Sequence, residues 1–339
     1  MKLNEIYYEV EKYIDLIDFN KLWKGFKPLK FALYNDRECF FDGKYIEKTD
    51  NFLANTAINY NGEVIAIWNV LEDLDPIVLA SKIIHEMFHG YQMINNESRF
   101  PNELESLSKY QYIDDSLSIK LLENKLIVEL IDKFDIDKFN KLLSYRKYRY
   151  DIYNYEFMYE LMIEQIEGSA NYVELSALKC LSVNMYLHKL KHIKSYITNP
   201  KNLIPVRIVS YDIGALMLML LKDNNISFNE RFNNECYIIS LLKDYEYKID
   251  NYLCMKNIIN DYNIESKKII ENTILKNNII VDDVVDILGV NVYNARYYNH
   301  YIISTYFVMY SLNNEQHIEY GDFVIELCDI AKASKIYKI

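Results

Sequence analysis

A chain of 339 residues, half of them hydrophobic, holds enough material for one large domain or two packed subdomains. Its formal charge of −11 disfavours nucleic acid and anionic membranes as partners, and its most apolar run, Ile213 to Leu221, is too short to span a bilayer. Cys39, Cys180, Cys236, Cys254 and Cys328 are scattered, with no C-x-x-C pair, so neither a disulfide framework nor a thiolate metal knot is implied. Only eight glycines and five prolines interrupt the chain, which points to an α+β protein that is mainly helical. Met1 to Ile6 lack an apolar signal-peptide core, and a cytoplasmic location is expected.

In chain order, residues 1 to 24 read as an amphipathic helix with Ile6, Val10, Tyr13, Ile14 and Ile17 on one side. Pro28 to Tyr34 is apolar enough for a strand. Phe52 to Tyr60 and Glu63 to Val70 follow as a hairpin, because Asn61-Gly62 tolerates the positive φ of a type I′ turn. The second of these, Glu63 to Asn69, is either an edge along which a peptide could add as a further strand or an ordinary sheet strand. Asp75-Pro76 then starts a helix, and Ile77, Ala80, Ile83, Ile84, Met87, Phe88 and Tyr91 give it a broad apolar face as far as Asn95-Asn96. That helix carries His85-Glu86-Met87-Phe88-His89, an H-E-x-x-H. Positions i and i+4 share a face, so His85 and His89 can offer two imidazoles to one ion with Glu86 beside them.

After a loop around Phe100-Pro101, helices are expected over 103–110 and 115–133. Lys141 to Tyr150 interleaves Arg146, Lys147 and Arg149 with Tyr145, Tyr148 and Tyr150. With 32 tyrosines spread along the chain, this reads as a solvated helix face rather than a nucleic-acid site. Helical periodicity runs from Tyr153 to Lys191, with a break expected inside it. From 201 to 339 an all-helical region is expected, with helices at Tyr211 to Leu221, Asn234 to Leu242, Ile264 to Leu275, Val281 to Leu288 and 290–312, then a short element from Asp322. Residues 1–75 form the helix and small sheet that precede the metal-binding helical domain of residues 76–200.

A catalytic zinc usually takes three protein ligands and leaves one position for water. Glu167 is the third candidate, because Gly168, Ser169 and Ala170 would let its helix come close to that of His85 and His89. Glu164, one turn earlier, is the fallback, and Glu103 and Glu105 are further alternatives. Asn171 and Glu174 fall on the face of Glu167 and could orient a metal-bound histidine. His188 and His192 also stand at i, i+4, but lysines surround them and no Glu follows His188, so they read as a solvated face. Arg296 and His300 could hold a substrate group or serve a structural role, and His317 carries no signal.

His85 to His89 followed by Glu167-Gly168-Ser169-Ala170-Asn171-Tyr172-Val173-Glu174 resembles the gluzincin metallopeptidases, whose aminopeptidase branch pairs H-E-x-x-H with N-E-G-x-x-x-Y-x-E. Ile166 stands where that branch has Asn, and residues 90–166 form a far longer spacer, so a helical insertion must lie between the ligand helices. Tyr211-Asp212-Ile213-Gly214 resembles the family's Y-x-x-G, whose Tyr hydrogen-bonds the oxyanion. The G-x-M-E-N exopeptidase signature is absent. The resemblance covers about residues 50–225. It implies a small sheet packed on a zincin-type helical domain, one Zn2+ on His85, His89 and Glu167, Glu86 as general base, and Tyr211 as oxyanion donor. The implied activity is hydrolysis of peptide or protein substrates. The alternatives are a catalytically silent binding or regulatory protein of the same fold, or a zinc hydrolase of non-peptide substrates.

Overall fold

The computed structural model describes residues 2–71, 74–232, 235–242 and 254–339. The chain opens with α1 (Leu3–Ile14) and α2 (Phe19–Leu22), then β1 (Phe31–Tyr34), β2 (Cys39–Phe41), β3 (Lys44–Ile46), β4 (Thr56–Tyr60) and β5 (Glu63–Asn69). Helices follow: α3 (Pro76–Ile94), α4 (Glu103–Lys109), α5 (Asp114–Asp132), α6 (Ile136–Ile152), α7 (Asn154–Leu181), α8 (Val183–Ile197), α9 (Val206–Asp223) and α10 (Lys256–Lys276). The last part is all strand: β6 (Ile279–Val281), β7 (Val285–Val290), β8 (Arg296–Tyr298), β9 (Tyr301–Ser304), β10 (Phe307–Leu312), β11 (Glu315–Tyr320), β12 (Phe323–Asp329) and β13 (Lys332–Lys338). The protein is thus α+β and mainly helical. Among the described residues no helix is long and apolar enough to cross a membrane.

Two compact units interleave along the chain. The first holds Met1–Phe100, Glu164–Ser195 and Tyr211–Ser240; the second holds Pro101–Ile163, Tyr196–Ser210 and Leu241–Ile339. The units therefore change at 100, 163, 195, 210 and 240.

In the first unit a five-stranded sheet runs in the order β3-β2-β1-β5-β4, with β1 and β5 parallel and the other pairs antiparallel. β5 is interior and β4 is the edge, so Glu63 to Asn69 has no free side for an added strand. The turn between them puts Asn61 at φ 52° and Gly62 at φ 83°, as its sequence predicts. The N-terminal segment is not one helix: α1 ends at Ile14 and a separate turn forms α2. The buried face of α1 (Leu3, Ile6, Tyr7, Val10, Ile14) reaches the sheet, where Tyr7 stacks on Phe31 with ring centroids 4.2 Å apart.

Asp75 caps α3, its Oδ1 accepting from the Ile77 N–H at 2.8 Å, and Pro76 takes the first helical position. Gly90 lets this helix lie on the sheet, since a Cβ there would sit 2.4 Å from Leu29 Cδ1 and 3.1 Å from Val64 Cγ1. α7 meets α9 at a glycine pair. A Cβ on Gly168 would lie 2.6 Å from Gly214 Cα, and one on Gly214 would lie 2.5 Å from the Glu164 carbonyl oxygen.

The second unit corrects two expectations. α6 does not present a solvated basic face, because Arg146 and Arg149 are each only 1 % exposed. They join Lys120, Glu123 and Glu160 in a buried ionic cluster, with Lys120 Nζ 2.7 Å from Glu160 Oε2 and an Arg149 nitrogen 3.1 Å from Glu123 Oε2. Burial opposes ionisation of Glu160, but Arg149 and Lys120 outweigh it and hold the carboxyl at about 2. Beyond α10 the chain is not helical. Val281 to Leu288 and 290–312 lie in an eight-stranded antiparallel sheet of order β11-β10-β7-β13-β12-β9-β8, with β6 paired to β13. One face is a core of Val285, Ile287, Val308, Phe323, Ile325 and Ile336; on the other, Ile270 of α10 packs with Ile303, Val324 and Tyr337. The expected helix at Asn234 to Leu242 begins outside the described residues, and 235–242 hold only a 3-10 turn at Ile239–Leu241. The break expected somewhere between Tyr153 and Lys191 falls at Ser182, between α7 and α8.

Candidate metal centre

Every residue of the centre belongs to the first unit. From α3, His85 and His89 point to the side on which α7 presents Glu167. His85 Nε2 and His89 Nε2 are 3.0 Å apart, His89 Nε2 is 3.3 Å from Glu167 Oε2, and His85 Nε2 is 4.0 Å from the same oxygen. A tetrahedral ion about 2.0–2.1 Å from each donor requires donors about 3.3 Å apart, and these separations bracket that value. The three side chains stay 12, 17 and 16 % exposed, so the group opens to solvent on one side.

A neighbour on the same helix sets which nitrogen of the His89 ring faces this group. Gln92 Nε2 donates to the Ile166 carbonyl at 2.9 Å and to Ser169 Oγ at 3.0 Å. A carbonyl can only accept, so the amide nitrogen must face it and Gln92 Oε1 must face His89 Nδ1, 2.8 Å away. His89 Nδ1 therefore carries the hydrogen, and Nε2 is left to coordinate. Glu174 Oε2 stands 3.3 Å from His85 Nδ1, so a carboxylate faces that side of the other ring. Gln92 was not among the sequence candidates. Its signal is its position, three residues after His89 on the same helix face.

Charge around the centre is strongly shaped. Burial works against a charged His89, but Glu167, Glu86 and the Gln92 hydrogen bond more than reverse it and raise its pKa to about 9. A proton and a metal ion compete for that nitrogen. Burial pushes the Glu86 carboxyl up, partly offset by His85 and His89 and reinforced by Glu167 and Glu174. Burial also opposes ionisation of Glu174, yet Lys189, His85 and Lys82 hold it well below the usual carboxylate range. Asp212 on α9 is lifted by burial to about 7, despite Lys189 nearby and a hydrogen bond from Asn171 Nδ2 at 3.4 Å. Asn171 thus serves Asp212 and not a histidine ring.

The other candidates are not part of the His85, His89 and Glu167 group. Tyr211 is buried in α9, its hydroxyl closed off from solvent. Glu164 is buried beneath the glycine crossing. In the second unit Glu103 pairs with Arg207 and accepts from Tyr159 at 2.9 Å, while Glu105 pairs with Lys109. Arg296 pairs with Glu265 at 2.6 Å, His300 occupies the β8–β9 turn at φ 70°, and His317 stacks on Tyr310. His188 and His192 are exposed on α8. Comparison with family models, with curated proteins and with solved structures gives no match for this chain.

Proposed function

We propose that this protein is a zinc-dependent hydrolase of peptide bonds with a gluzincin-type centre, in which His85, His89 and Glu167 hold the metal. The supporting observation is the convergence of two Nε2 atoms and one carboxylate oxygen, with Gln92 accepting from His89 Nδ1 and Glu174 beside His85 Nδ1. Two imidazoles and a carboxylate with an open side suit zinc. When bound, zinc supplies a water acidified towards neutrality and an electrophile for the scissile carbonyl.

Glu86 takes the water's proton as the new carbon–oxygen bond forms, then delivers it to the amide nitrogen as the carbon–nitrogen bond breaks. It is suited to this by its place: it follows His85 directly, and among the described residues no hydrogen bond or ion pair engages its carboxylate. Its raised affinity for a proton makes it a better base than a solvated glutamate. Glu174 and Gln92 keep the two rings oriented while charge moves. Tyr211 is the donor that the sequence resemblance offers to the oxyanion.

Elemental analysis and a peptide-library digest on the same samples test this reading. Wild type should hold one zinc and cleave, Glu86→Gln should hold zinc without cleaving, and Glu167→Ala should lose zinc. Cleavage by Glu86→Gln, or stoichiometric zinc in Glu167→Ala, would sink it. Stoichiometric wild-type zinc with no peptide cleaved would favour a silent binding protein.

A further inference from the structure

We infer that Lys82 is a recognition site for a carboxylate of the substrate, one helical turn from the metal ligands. This rests on the hydrolase reading above and adds the substrate's charge to it. Lys82 precedes His85 by three residues on α3, so its stem leaves the face that carries the metal ligands. Its one ion pair among the described residues is shared with a second lysine. Glu174 turns Oε2 to His85 Nδ1 and gives Oε1 to a direct hydrogen bond from Lys189. One carboxylate and one ammonium neutralise each other there. Lys82 Nζ stands 3.9 Å from that same Oε1, beyond hydrogen-bond length, and among the described residues no other carboxylate lies within 4.0 Å of it. Lys189 and Lys82 thus share one oxygen of Glu174, and Lys189 also faces Asp212, in a chain whose overall charge is −11.

Lys82 is also placed to be used. Its side chain is 35 % exposed, and its ammonium sits over the ring of Trp68 on β5, 5.7 Å from the centroid, which holds it in position. A turn of helix rises about 5.4 Å and an extended peptide about 3.3–3.6 Å per residue, so the carboxylate falls within one or two residues of the scissile bond. It is either an acidic side chain or the free C-terminus of the peptide.

The test uses the zinc-loaded Glu86→Gln protein, in which binding is read without turnover, and isothermal titration with defined probes. These are acetyl-hexaalanine with a free carboxylate, its C-terminal amide, and amidated versions with one Asp at each position in turn. At least one carboxylate-bearing probe should bind roughly tenfold tighter than the neutral amide. Adding Lys82→Met should abolish that advantage, Lys82→Arg should keep it, and raised salt should shrink it in the Lys82-intact protein. The free-acid probe winning identifies the C-terminus; an Asp probe winning identifies a side chain. Equal binding of all probes, or an advantage that survives Lys82→Met, overturns the inference. Carboxylate preference with no wild-type turnover would sink the hydrolase reading alone, and turnover without that preference would sink only this inference.

Discussion

The residues beside the two histidine rings are as informative as the proposed ligands themselves. Replacing Gln92 with Leu removes the acceptor for His89 Nδ1 and frees the ring to flip or change tautomer. Metal affinity should then fall by roughly 10–100-fold, read by competition with a chelator, with helix content unchanged. An affinity equal to wild type would show that packing alone orients the ring. Tyr211→Phe should lower kcat by about 10²–10³ at unchanged zinc content if the hydroxyl meets the oxyanion; undiminished kcat would remove Tyr211 from the reaction. Asp212 carries a pH signature. Its native pKa of about 7, against an ordinary 3.8, means that the folded protein keeps a proton which the unfolded chain releases. Its contribution to stability therefore falls as pH rises from about 4 to 7, by on the order of 2–4 kcal/mol in total. Asp212→Asn should erase that loss, so that the variant gains over wild type in thermal melts at pH 8 but not at pH 4.

At the level of elements, the α7–α9 crossing decides where Glu167 stands. The sequence pointed to small residues beside Glu167, but they divide their work between two neighbours. Gly168 faces Gly214 of α9, while Ser169 meets Gln92 of α3. Composition could not separate these faces, because both partners lie far away in sequence. Gly214→Ala gains helix propensity of roughly 1 kcal/mol but drives a methyl into the backbone of α7, which cannot yield as a side chain would. Net destabilisation of about 1–3 kcal/mol and weakened zinc retention are expected, by denaturant titration and metal analysis. Arg149→Met, which removes the guanidinium that Glu160 and Glu123 share in the interior, should cost about 3–5 kcal/mol. The tyrosine and arginine alternation that suggested a wet surface gave no warning of this, since its partners, Glu123 and Glu160, come from other helices.

Over the whole molecule, the parts readable from sequence were those set by local chemistry. They include the capped α3, the Asn61-Gly62 hairpin, α10, and the H-E-x-x-H whose third neighbour proved to be Glu167. The C-terminal sheet was missed for a physical reason. Scarce glycine was read as scarce turns, yet Asn also tolerates the left-handed region, and Asn299, Asn313 and Asn314 build the hairpins there, with Asn277 ending α10. Val281, Val284, Val285 and Leu288 fit a helical spacing, but β7 buries Val285, Ile287 and Val290 on one side of a sheet that only long-range pairing reveals. The ionic cluster gives the fold a further acid dependence. The Glu160 pKa of about 2 lies below the ordinary 4.5, so its stabilisation is complete above pH 4.5 and is lost as pH falls towards 2.

The interleaving of the two units also sets a timetable. As the chain leaves the ribosome, the first hundred residues provide the sheet, α3 and both imidazoles. The carboxylate at 167 arrives only after the helices of 101–163 have been made, and the glycine that seats it, at 214, arrives later still. A nascent chain that stops short of residue 214 therefore holds half a centre, and under the proposed function metal uptake would report whether synthesis has passed that point.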